Sequence, residues 1–457
     1  MTHKIKIQNS EDVESGFFKE RDFGESIKSV SDVIANVKKR GDAALFEYSA
    51  RFDALSPAPF EIPSSQLKDA AEKLKQKKPD LYDALCFSRD LALRFAKKQR
   101  ESFVDFEYEL EPGLFTGQKN IPVEKAGVYI PAGRFPLVSS VIMTSAPALA
   151  AGVKELILCT PPRLHPDDKA EAEKYSLGTQ GNPFTGGKPY ADENIMAAAH
   201  LCGITKAFAL GGSQAIAALA FGTESVPRVD VIAGPGNAFV AEAKRQVSGA
   251  VGIDMIAGPT EVFIIADESA SPFWVAADLL AQAEHDVFAQ PVLATTSEDF
   301  AQKVALEVER QLEALPTKAI AEQSIQNCGR IIICGTLEQA IGIANRKAPE
   351  HLELAIKEGS ERDKIVSLAR NYGSLFIGHE AAEVFGDYSA GLNHTLPTSG
   401  SARFTGGLSV RVFLKTVTTL RVIHKSEGAK KSACAAASIA NAEGLAAHAQ
   451  AAQVRLR

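Results

Sequence analysis

The stretch GVYIPAGRFPLVSSVIMTSAPALAAGVKELILCT at positions 127–160 decides the fold class. Short apolar runs at its start and end enclose a longer run of small and apolar residues, long enough for a helix. Glycine and proline separate the three segments, which is the pattern of a strand, a helix and a second strand. The alternation continues through ENIMAAAHLCG, KAFALGG, SQAIAALAFG, VDVIAGPG and AFVAEAKRQVSG. The sequence therefore predicts a doubly wound α/β domain with a parallel sheet over residues 127–256.

A second unit of the same kind is predicted over residues 257–384. Apolar runs such as EVFIIAD, PVLATTS and GRIIICG alternate there with helical stretches such as EDFAQKVALEVERQLEAL. No sequence repeat connects the two units, so the similarity is one of architecture alone. We expect two doubly wound, Rossmann-like domains.

The remaining segments flank or interrupt these units. Residues 1–126 are predicted to form a helical lead-in, with three helices, that packs on the second α/β domain. Residues 385–457 begin as a polar, glycine-rich loop and end in an Ala-rich helix with little bulky apolar surface, so we expect this tail to pack on another subunit. Residues 163–192 exceed the usual length of a strand-to-helix connection and form an insertion, either a lid or an ordered surface excursion.

The composition excludes several classes of protein. The 457 residues include 50 basic and 56 acidic side chains, so no excess positive charge indicates a nucleic-acid or anionic-membrane partner. No apolar stretch reaches the roughly 20 residues of a membrane-spanning helix. The first 20 residues lack the apolar run of a secretory signal, and the six scattered cysteines have no CxxC spacing. We expect a cytoplasmic protein that acts on a small molecule.

The usual dinucleotide fingerprint is missing. The nearest match to GxGxxG is GPGNAF at 234–239, which lacks the third glycine and contains a proline. Such a loop fits a tight turn at a strand end equally well. If NAD binds, it binds without this fingerprint.

A few polar residues occur at spacings that suit a metal or proton transfer. Gln282 and His285 are three apart, so on a helix both point to one side, as two metal ligands must. Glu350 and His351 are adjacent at a predicted strand entry and could exchange protons near neutral pH. Each of these also fits an ordinary polar helix or strand end. The other candidates lie in the C-terminal loop and tail, namely Asp387, His394, Glu443 and His448.

Several long blocks, in order, resemble the histidinol dehydrogenase family across about residues 25–455. They are GVYIPAG, GGSQAIAALAFGTESVP, GPGNAFVAEAKRQV, GIDMIAGPTEV, DLLAQAEHD, APEHLEL and GDYSAGLNHTLPTSG. The resemblance implies a homodimeric enzyme with one Zn²⁺ per subunit that oxidises an amino alcohol to an amino acid with NAD, through a bound aldehyde. For histidinol, this reaction is the last step of histidine biosynthesis.

The resemblance also implies roles for individual residues. Glu350 and His351 would be the acid–base pair, and the tail of one subunit would complete the site of its partner. NAD would contact Tyr129, Gln214 and Asn237. Zinc would be held by Gln282, His285, Asp387 and His448. Substrate would be held by Thr260, Gln282, His285, His351, Asp387, His394, Glu443 and His448.

Two alternatives stay open at the level of the sequence. The stretches NYGSLFIG, LPTSGSARFTGGLSV and EGLAAHAQAAQVRL also resemble sulfopropanediol dehydrogenases, which oxidise 2,3-dihydroxypropane-1-sulfonate to 3-sulfolactate on the same fold. In addition, Thr260 stands where histidinol dehydrogenases commonly have serine. A two-lobed binding protein without catalysis is the more distant alternative.

Overall fold

The computed structural model describes residues 5–18, 27–133 and 135–456, so positions 1–4 and 19–26 of the predicted lead-in lie outside it. Its strands are β1 (Lys6–Asn9), β2 (Leu55–Ser56), β3 (Glu61–Ile62), β4 (Phe106–Glu111), β5 (Leu114–Pro122), β6 (Lys125–Tyr129), β7 (Glu155–Thr160), β8 (Phe184–Thr185), β9 (Lys206–Ala209), β10 (Val231–Ala233), β11 (Gly252–Ile253), β12 (Glu261–Ala266), β13 (Gln290–Thr295), β14 (Arg330–Ile333), β15 (His351–Ala355), β16 (Ser374–Ile377) and β17 (Leu414–Val422).

Its α-helices are α1 (Ile27–Arg40), α2 (Asp42–Asp53), α3 (Ser64–Lys77), α4 (Pro79–Glu101), α5 (Val138–Ala151), α6 (Lys169–Tyr175), α7 (Glu193–Leu201), α8 (Gly212–Phe221), α9 (Ala238–Val247), α10 (Pro272–Ala283), α11 (Glu298–Ala314), α12 (Lys318–Asn327), α13 (Leu337–Lys347), α14 (Ser360–Leu368), α15 (Glu383–Tyr388), α16 (Glu427–Ala442) and α17 (Ala446–Gln453). None of these helices combines the length and the apolar character needed to cross a membrane.

The first sheet has the strand order β11-β10-β6-β7-β9-β3, and all its strands are parallel except β3 at one edge. Its strands are apolar on both faces: in β6, Ala126 and Val128 belong to one core and Tyr129 to the other. Helices α5 and α7 cover one face, and α8 and α9 cover the opposite face. This two-sided cover is what a sheet with no polar face requires.

The second sheet repeats this plan with the order β1-β14-β13-β12-β15-β16, parallel throughout. Val262 and Ile264 of β12 face α10 and α11, whereas Phe263 and Ile265 face α13. Apart from the edge strands β3 and β1, which the lead-in supplies, the chain enters each sheet at a central strand, winds to one side, and then returns to wind to the other. The predicted α/β class with two doubly wound, Rossmann-like units is confirmed.

The expected position of the lead-in is wrong for its helices. α1 packs on α8, α3 on α7 and α4 on α5, all in the first domain. Among the described lead-in residues, β1 joins the second sheet and Phe17 packs against the core beside α13. The helices pack on the first domain because α5, α7 and α8 are apolar around most of their circumference and need a further layer to cover them. The amphipathic lead-in helices supply that layer, and α2 adds a helix beyond the three expected.

The predicted insertion at 163–192 is an ordered excursion over the lead-in. It contains α6, and its strand β8 pairs with β2 so that Phe184 lies opposite Leu55. The amide of Ala58 also donates to the carbonyl oxygen of Gly187. The insertion follows β7 and therefore starts at the carboxyl edge of the first sheet.

A small antiparallel sheet, β17-β5-β4, was not anticipated from the sequence. It joins a hairpin of the lead-in to a strand of the C-terminal segment, and α16 packs beside β4. Its outer side chains are open to solvent: Phe106 is 55%, Tyr108 66% and Leu420 70% exposed. The Ala-rich tail itself breaks at Gly444, where φ is +75°, into α16 and α17.

Candidate active site

The predicted acid–base pair is buried at the amino end of β15. Glu350 and His351 are 6% and 3% exposed. Strand β12 runs beside β15 with Val262 opposite His351, which brings Thr260 and Glu261 against the pair. Glu350 Oε2 accepts a hydrogen bond from Thr260 Oγ1 at 2.5 Å and another from the amide of Glu261 at 3.0 Å.

The main chain fixes which nitrogen of His351 carries the proton in the neutral ring. Nδ1 lies 3.2 Å from the carbonyl oxygen of Glu261. Because a carbonyl oxygen only accepts, Nδ1 is the donor. Nε2 is buried without a hydrogen-bond partner and lies 3.4 Å from Asp387 Oδ1. The neutral ring thus presents a free lone pair at Nε2, as a general base must.

The electrostatic environment raises the pKa of both groups, that of Glu350 to near neutral pH and that of His351 further above it. Burial raises the pKa of Glu350 to about 7, although the charge of His351 and the hydrogen bonds that the carboxylate accepts each lower this pKa. Burial alone would lower the pKa of His351, but the carboxylates of Glu350, Glu383 and Asp387 outweigh it and hold this pKa well above its ordinary value. Glu383 Oε2 lies 3.7 Å from Nδ1 of the imidazole.

Two predicted metal ligands present free oxygens beside this pair. Gln282, in the last turn of α10, is 1% exposed and donates from Nε2 to Thr260 Oγ1 at 2.5 Å, while its Oε1 is buried without a partner. Asp387 Oδ1 is likewise buried without a hydrogen-bond donor. Burial would raise the pKa of Asp387, but nearby His351, His394 and His285 keep it below its ordinary value. Unpaired amide and carboxylate oxygens beside imidazoles are donors that fit a divalent zinc ion.

The single chain does not complete the predicted ligand set. Across residues 5–18, 27–133 and 135–456, no three His, Cys, Asp or Glu side chains are grouped so as to hold a metal ion. His448 on α17 and Glu443 after α16 are exposed on the tail. His285, just beyond α10, is also exposed. Gln282 and Asp387 thus supply free acceptor oxygens, and the described residues contain no complete set of metal ligands around them.

His394 lies on a loop that connects the C-terminal segment to the first domain. Its Nε2 is 3.1 Å from Ser139 Oγ, at the start of α5. The neighbouring Asn393 donates from Nδ2 to the carbonyl oxygen of Met143 at 2.7 Å. Burial lowers the pKa of His394, so the ring is neutral at physiological pH. The loop therefore links the helices of the first domain to the acid–base pair of the second.

The residues predicted to contact NAD lie at the carboxyl edge of the first sheet, where ligands of doubly wound folds bind. Tyr129 Oη, at the end of β6, accepts a hydrogen bond from the amide of Gly212 at 3.1 Å. Gln214, two residues further along α8, is fully buried, and its Oε1 has no hydrogen-bond partner. Asn237 caps α9, because its Oδ1 accepts hydrogen bonds from the amides of Phe239 and Val240, both at 3.1 Å. Tyr129 and Gln214 are thus brought together, and Asn237 closes the neighbouring loop.

A buried ion pair holds that neighbouring loop. Lys244 pairs with Asp254, their side chains being 3% and 0% exposed. Lys244 Nζ donates to the carbonyl oxygen of Gly234 at 2.9 Å, and the amide of Gly234 donates to Asp254 Oδ2 at 2.8 Å. Gly234 has φ +125°, and a Cβ there would lie 2.1 Å from the carbonyl oxygen of Tyr129. Both the ion pair and the glycine are needed for the loop to pass this close to β6.

Replacing Lys244 with methionine is expected to destabilise the protein by about 3–5 kcal/mol, because Asp254 is left buried and unpaired. Urea unfolding measures the change. Lys303→Met, which removes the exposed partner of Asp299, is the matched control and should cost less than about 1 kcal/mol. Equal effects of the two substitutions would contradict the assigned role of the buried pair.

Several buried charged residues of the site were not singled out from the sequence. Glu261 Oε1 accepts from Gln290 Nε2 at 2.9 Å and from Lys347 Nζ at 3.2 Å, directly behind Glu350. The available signal was a charged residue opening an otherwise apolar strand, as in EVFIIAD. Glu353 is likewise a charged residue in an otherwise apolar strand, at the middle of β15, and burial raises its pKa to about 8.

Comparison with known proteins places this arrangement in one family. The histidinol dehydrogenase family model matches residues 18–177 and 182–456. Histidinol dehydrogenase of Prochlorococcus marinus is 42% identical over 431 residues, covering 94% of this chain and 90% of the relative. That of Aquifex aeolicus is 42% identical over 430 residues, covering 94% and 92%.

A solved structure agrees. Histidinol dehydrogenase from Elizabethkingia anophelis superimposes with a TM-score of 0.86 at 34% identity, covering 100% of this chain and 99% of that one. The family model, the sequence relatives and the fold thus point to the same conclusion as the motifs around Glu350 and His351. The chain belongs to the histidinol dehydrogenase family of oxidoreductases.

Proposed function

We propose that the protein oxidises L-histidinol to L-histidine by two successive NAD-linked steps at a zinc site, as a cytoplasmic homodimer in histidine biosynthesis. The observation that carries the proposal is the buried Glu350–His351 pair beside the unpaired oxygens of Gln282 and Asp387. Histidinol is preferred to a sulfonate diol as substrate because the relatives compared above are histidinol dehydrogenases over more than nine-tenths of this chain.

Four electrons leave the substrate in this reaction. The alcohol and one water become a carboxylate, with the release of two hydrides and three protons. NAD supplies the hydride acceptor for each oxidation when it is bound. The protein must supply proton acceptors and a closed site, because the aldehyde formed halfway must not escape.

His351 and Glu350 divide the proton transfers. Once the His351 ring is neutral, the lone pair of its Nε2 takes the proton of the alcohol hydroxyl as the carbon is first oxidised. Glu350, ionised above about pH 7, takes a proton from the water that attacks the aldehyde. The third proton leaves the carboxylic acid that forms when the second hydride departs. Thr260, Gln282 and the amide of Glu261 hold these groups in place through the hydrogen bonds described above.

Gln282, His285 and Asp387 would hold zinc together with His448 of the partner subunit. Zinc, when bound, would anchor the amine and imidazole of the substrate. His394 and Glu443 would add further substrate contacts. The exposed apolar face of the β17-β5-β4 sheet and the exposed tail support a homodimer in which each tail reaches the other subunit.

The substrate assignment is tested by following NADH formation by zinc-loaded enzyme with L-histidinol and, separately, with 2,3-dihydroxypropane-1-sulfonate. We expect turnover with histidinol and a kcat/KM at least about a hundredfold lower with the sulfonate, because loss of the paired polar contacts is costly. Turnover on the sulfonate alone would replace the proposed substrate while keeping the chemistry.

The pH profile tests the role of Glu350. We expect kcat/KM for histidinol to rise with pH in two stages. The later rise follows loss of the proton of His351, whose pKa lies well above its ordinary value, and the earlier rise, through about 7, follows Glu350, because burial raises the pKa of Glu350 to that value and the base must be ionised. Thr260→Val removes the hydroxyl that stabilises the carboxylate, so this pKa rises further and the acid limb moves to higher pH. Thr260→Ser keeps the hydroxyl and should leave the limb in place. Identical profiles for the two variants would remove Glu350 as the group that titrates.

A further inference from the structure

A buried ion pair lies directly behind the acid–base pair and takes no part in the proton transfers proposed above. Glu261, the first residue of β12, accepts at Oε1 from Lys347 Nζ at 3.2 Å, and the two side chains are 1% and 5% exposed. Gln290, opposite Glu261 at the start of β13, donates to the same oxygen at 2.9 Å. Two donors on separate elements thus converge on one carboxylate oxygen.

The stability of the fold does not account for this ion pair. Two charges lose their hydration in the interior, and their attraction offsets that loss only when the remaining polar atoms are hydrogen-bonded as well. Glu261 Oε2 is buried without a hydrogen-bond partner among the described residues. Replacing such a pair with uncharged groups of similar volume is often neutral or stabilising. A function in the neighbouring site explains the pair better than stability does.

The main chain of Glu261 contacts both members of the acid–base pair. Its amide donates to Glu350 Oε2 at 3.0 Å, and its carbonyl oxygen lies 3.2 Å from His351 Nδ1. Lys347 ends α13, three residues before Glu350 on the same segment of chain. The side chain of Glu261 thus ties the start of β12 to the segment that carries the pair. A shift of Glu261 would move a hydrogen-bond partner of each catalytic group at the same time.

We propose that Glu261, Lys347 and Gln290 are positioning residues for the acid–base pair. They act through the main chain of Glu261, which keeps the Glu350 carboxylate and the Nε2 lone pair of His351 in the orientation that proton transfer requires. This rests on the proposed function, since it presupposes proton transfer by that pair. Orientation matters because misplacing a reacting group by about 1 Å can lower a rate about a hundredfold.

The test uses a double variant that keeps the approximate shape of the ion pair. Glu261→Gln together with Lys347→Met removes both charges, so neither is left buried alone, and the urea midpoint should stay close to that of the wild type. Its kcat with L-histidinol should nevertheless fall about tenfold, while KM and the dissociation constant of NAD stay within about twofold. The control, Glu338→Gln with Lys364→Met, removes an exposed pair that also involves α13 and should keep kcat within about twofold.

A pH profile distinguishes loss of positioning from a general loss of activity. The Glu261 amide lowers the pKa of Glu350 by donating to its carboxylate. Weakening this hydrogen bond should move the earlier rise of kcat/KM to higher pH in the double variant. The double variant removes one positive and one negative charge, so the net charge behind Glu350 is unchanged and the shift reports the hydrogen bond. The control should leave the profile in place.

Gln290→Leu tests the same role without removing a charge. It deletes the second donor to Glu261, and we expect kcat to fall about threefold with a pH shift in the same direction. This variant alone decides if the double variant does not fold. Wild-type kcat with an unmoved profile in either folded variant would overturn the positioning role and leave the proposed function intact. If the wild type formed no NADH from L-histidinol, the proposed function would fail and this role with it.

Discussion

His351→Asn is expected to lower kcat with L-histidinol by about a hundredfold to ten-thousandfold, the range that general-base catalysis contributes. The reason is that Nε2 is the free lone pair in the buried pair, and asparagine offers no group that titrates near neutral pH. Zinc content and NAD affinity should stay close to those of the wild type, because His351 is not among the proposed ligands of either. Steady-state NADH formation, metal analysis and calorimetry measure the three quantities.

His379→Asn is the matched control for this variant. His379 is in the same domain, its Nε2 lies 3.1 Å from Ser269 Oγ, and the proposed mechanism gives it no role. Its kcat should remain within about twofold of the wild type. If His351→Asn retained full turnover, the assignment of the base would be wrong. A protein that only binds its ligand would show no turnover in any variant.

His448→Ala is expected to remove most of the zinc and to lower the activity at least about a hundredfold, since losing even a residue that only hydrogen-bonds to a metal ligand costs about ten- to a hundredfold. The part of the chain that the structure describes forms no complete metal site, and His448 is exposed on the tail. The dimer itself should persist. His424→Ala, another exposed histidine of the C-terminal segment, should keep zinc and activity. Metal analysis and size-exclusion chromatography distinguish these outcomes.

Mixing the two inactive variants tests whether the tail crosses to the partner. After subunit exchange between His351→Asn and His448→Ala, half of the dimers are mixed, and one of their two sites combines both wild-type residues if the tail is shared between subunits. About a quarter of the wild-type activity should then return, as two-fold symmetry requires. If activity did not return although mixed dimers had formed, the tail would belong to its own subunit.

The fold class could be predicted because it depends on local patterns. Apolar runs of strand length alternating with helical stretches predict a parallel sheet covered on both faces, and residues 127–160 contain a complete unit of this kind. The pairing of β12 with β15 then brings Thr260 to Glu350.

Other features depend on contacts that no local pattern encodes. The lead-in helices pack on the first domain because α5 and α7 have apolar faces that the sheet does not cover. These uncovered faces exist only once the domain has assembled. The β17-β5-β4 sheet joins segments nearly 300 positions apart. In the sequence, Asp53 looks like an ordinary polar residue at the end of a helix. It is the fold that places its carboxylate beside Gln214.

The ratio of NADH formed to L-histidinol consumed directly tests whether the enzyme oxidises histidinol twice. Zinc-loaded enzyme is supplied with excess NAD and a limiting, known amount of histidinol, and the reaction is followed to completion with histidine quantified at the end. A four-electron oxidation yields two NADH and one histidine for each histidinol, and this is the ratio we expect. One NADH with the aldehyde as the final product, or no NADH, would contradict it.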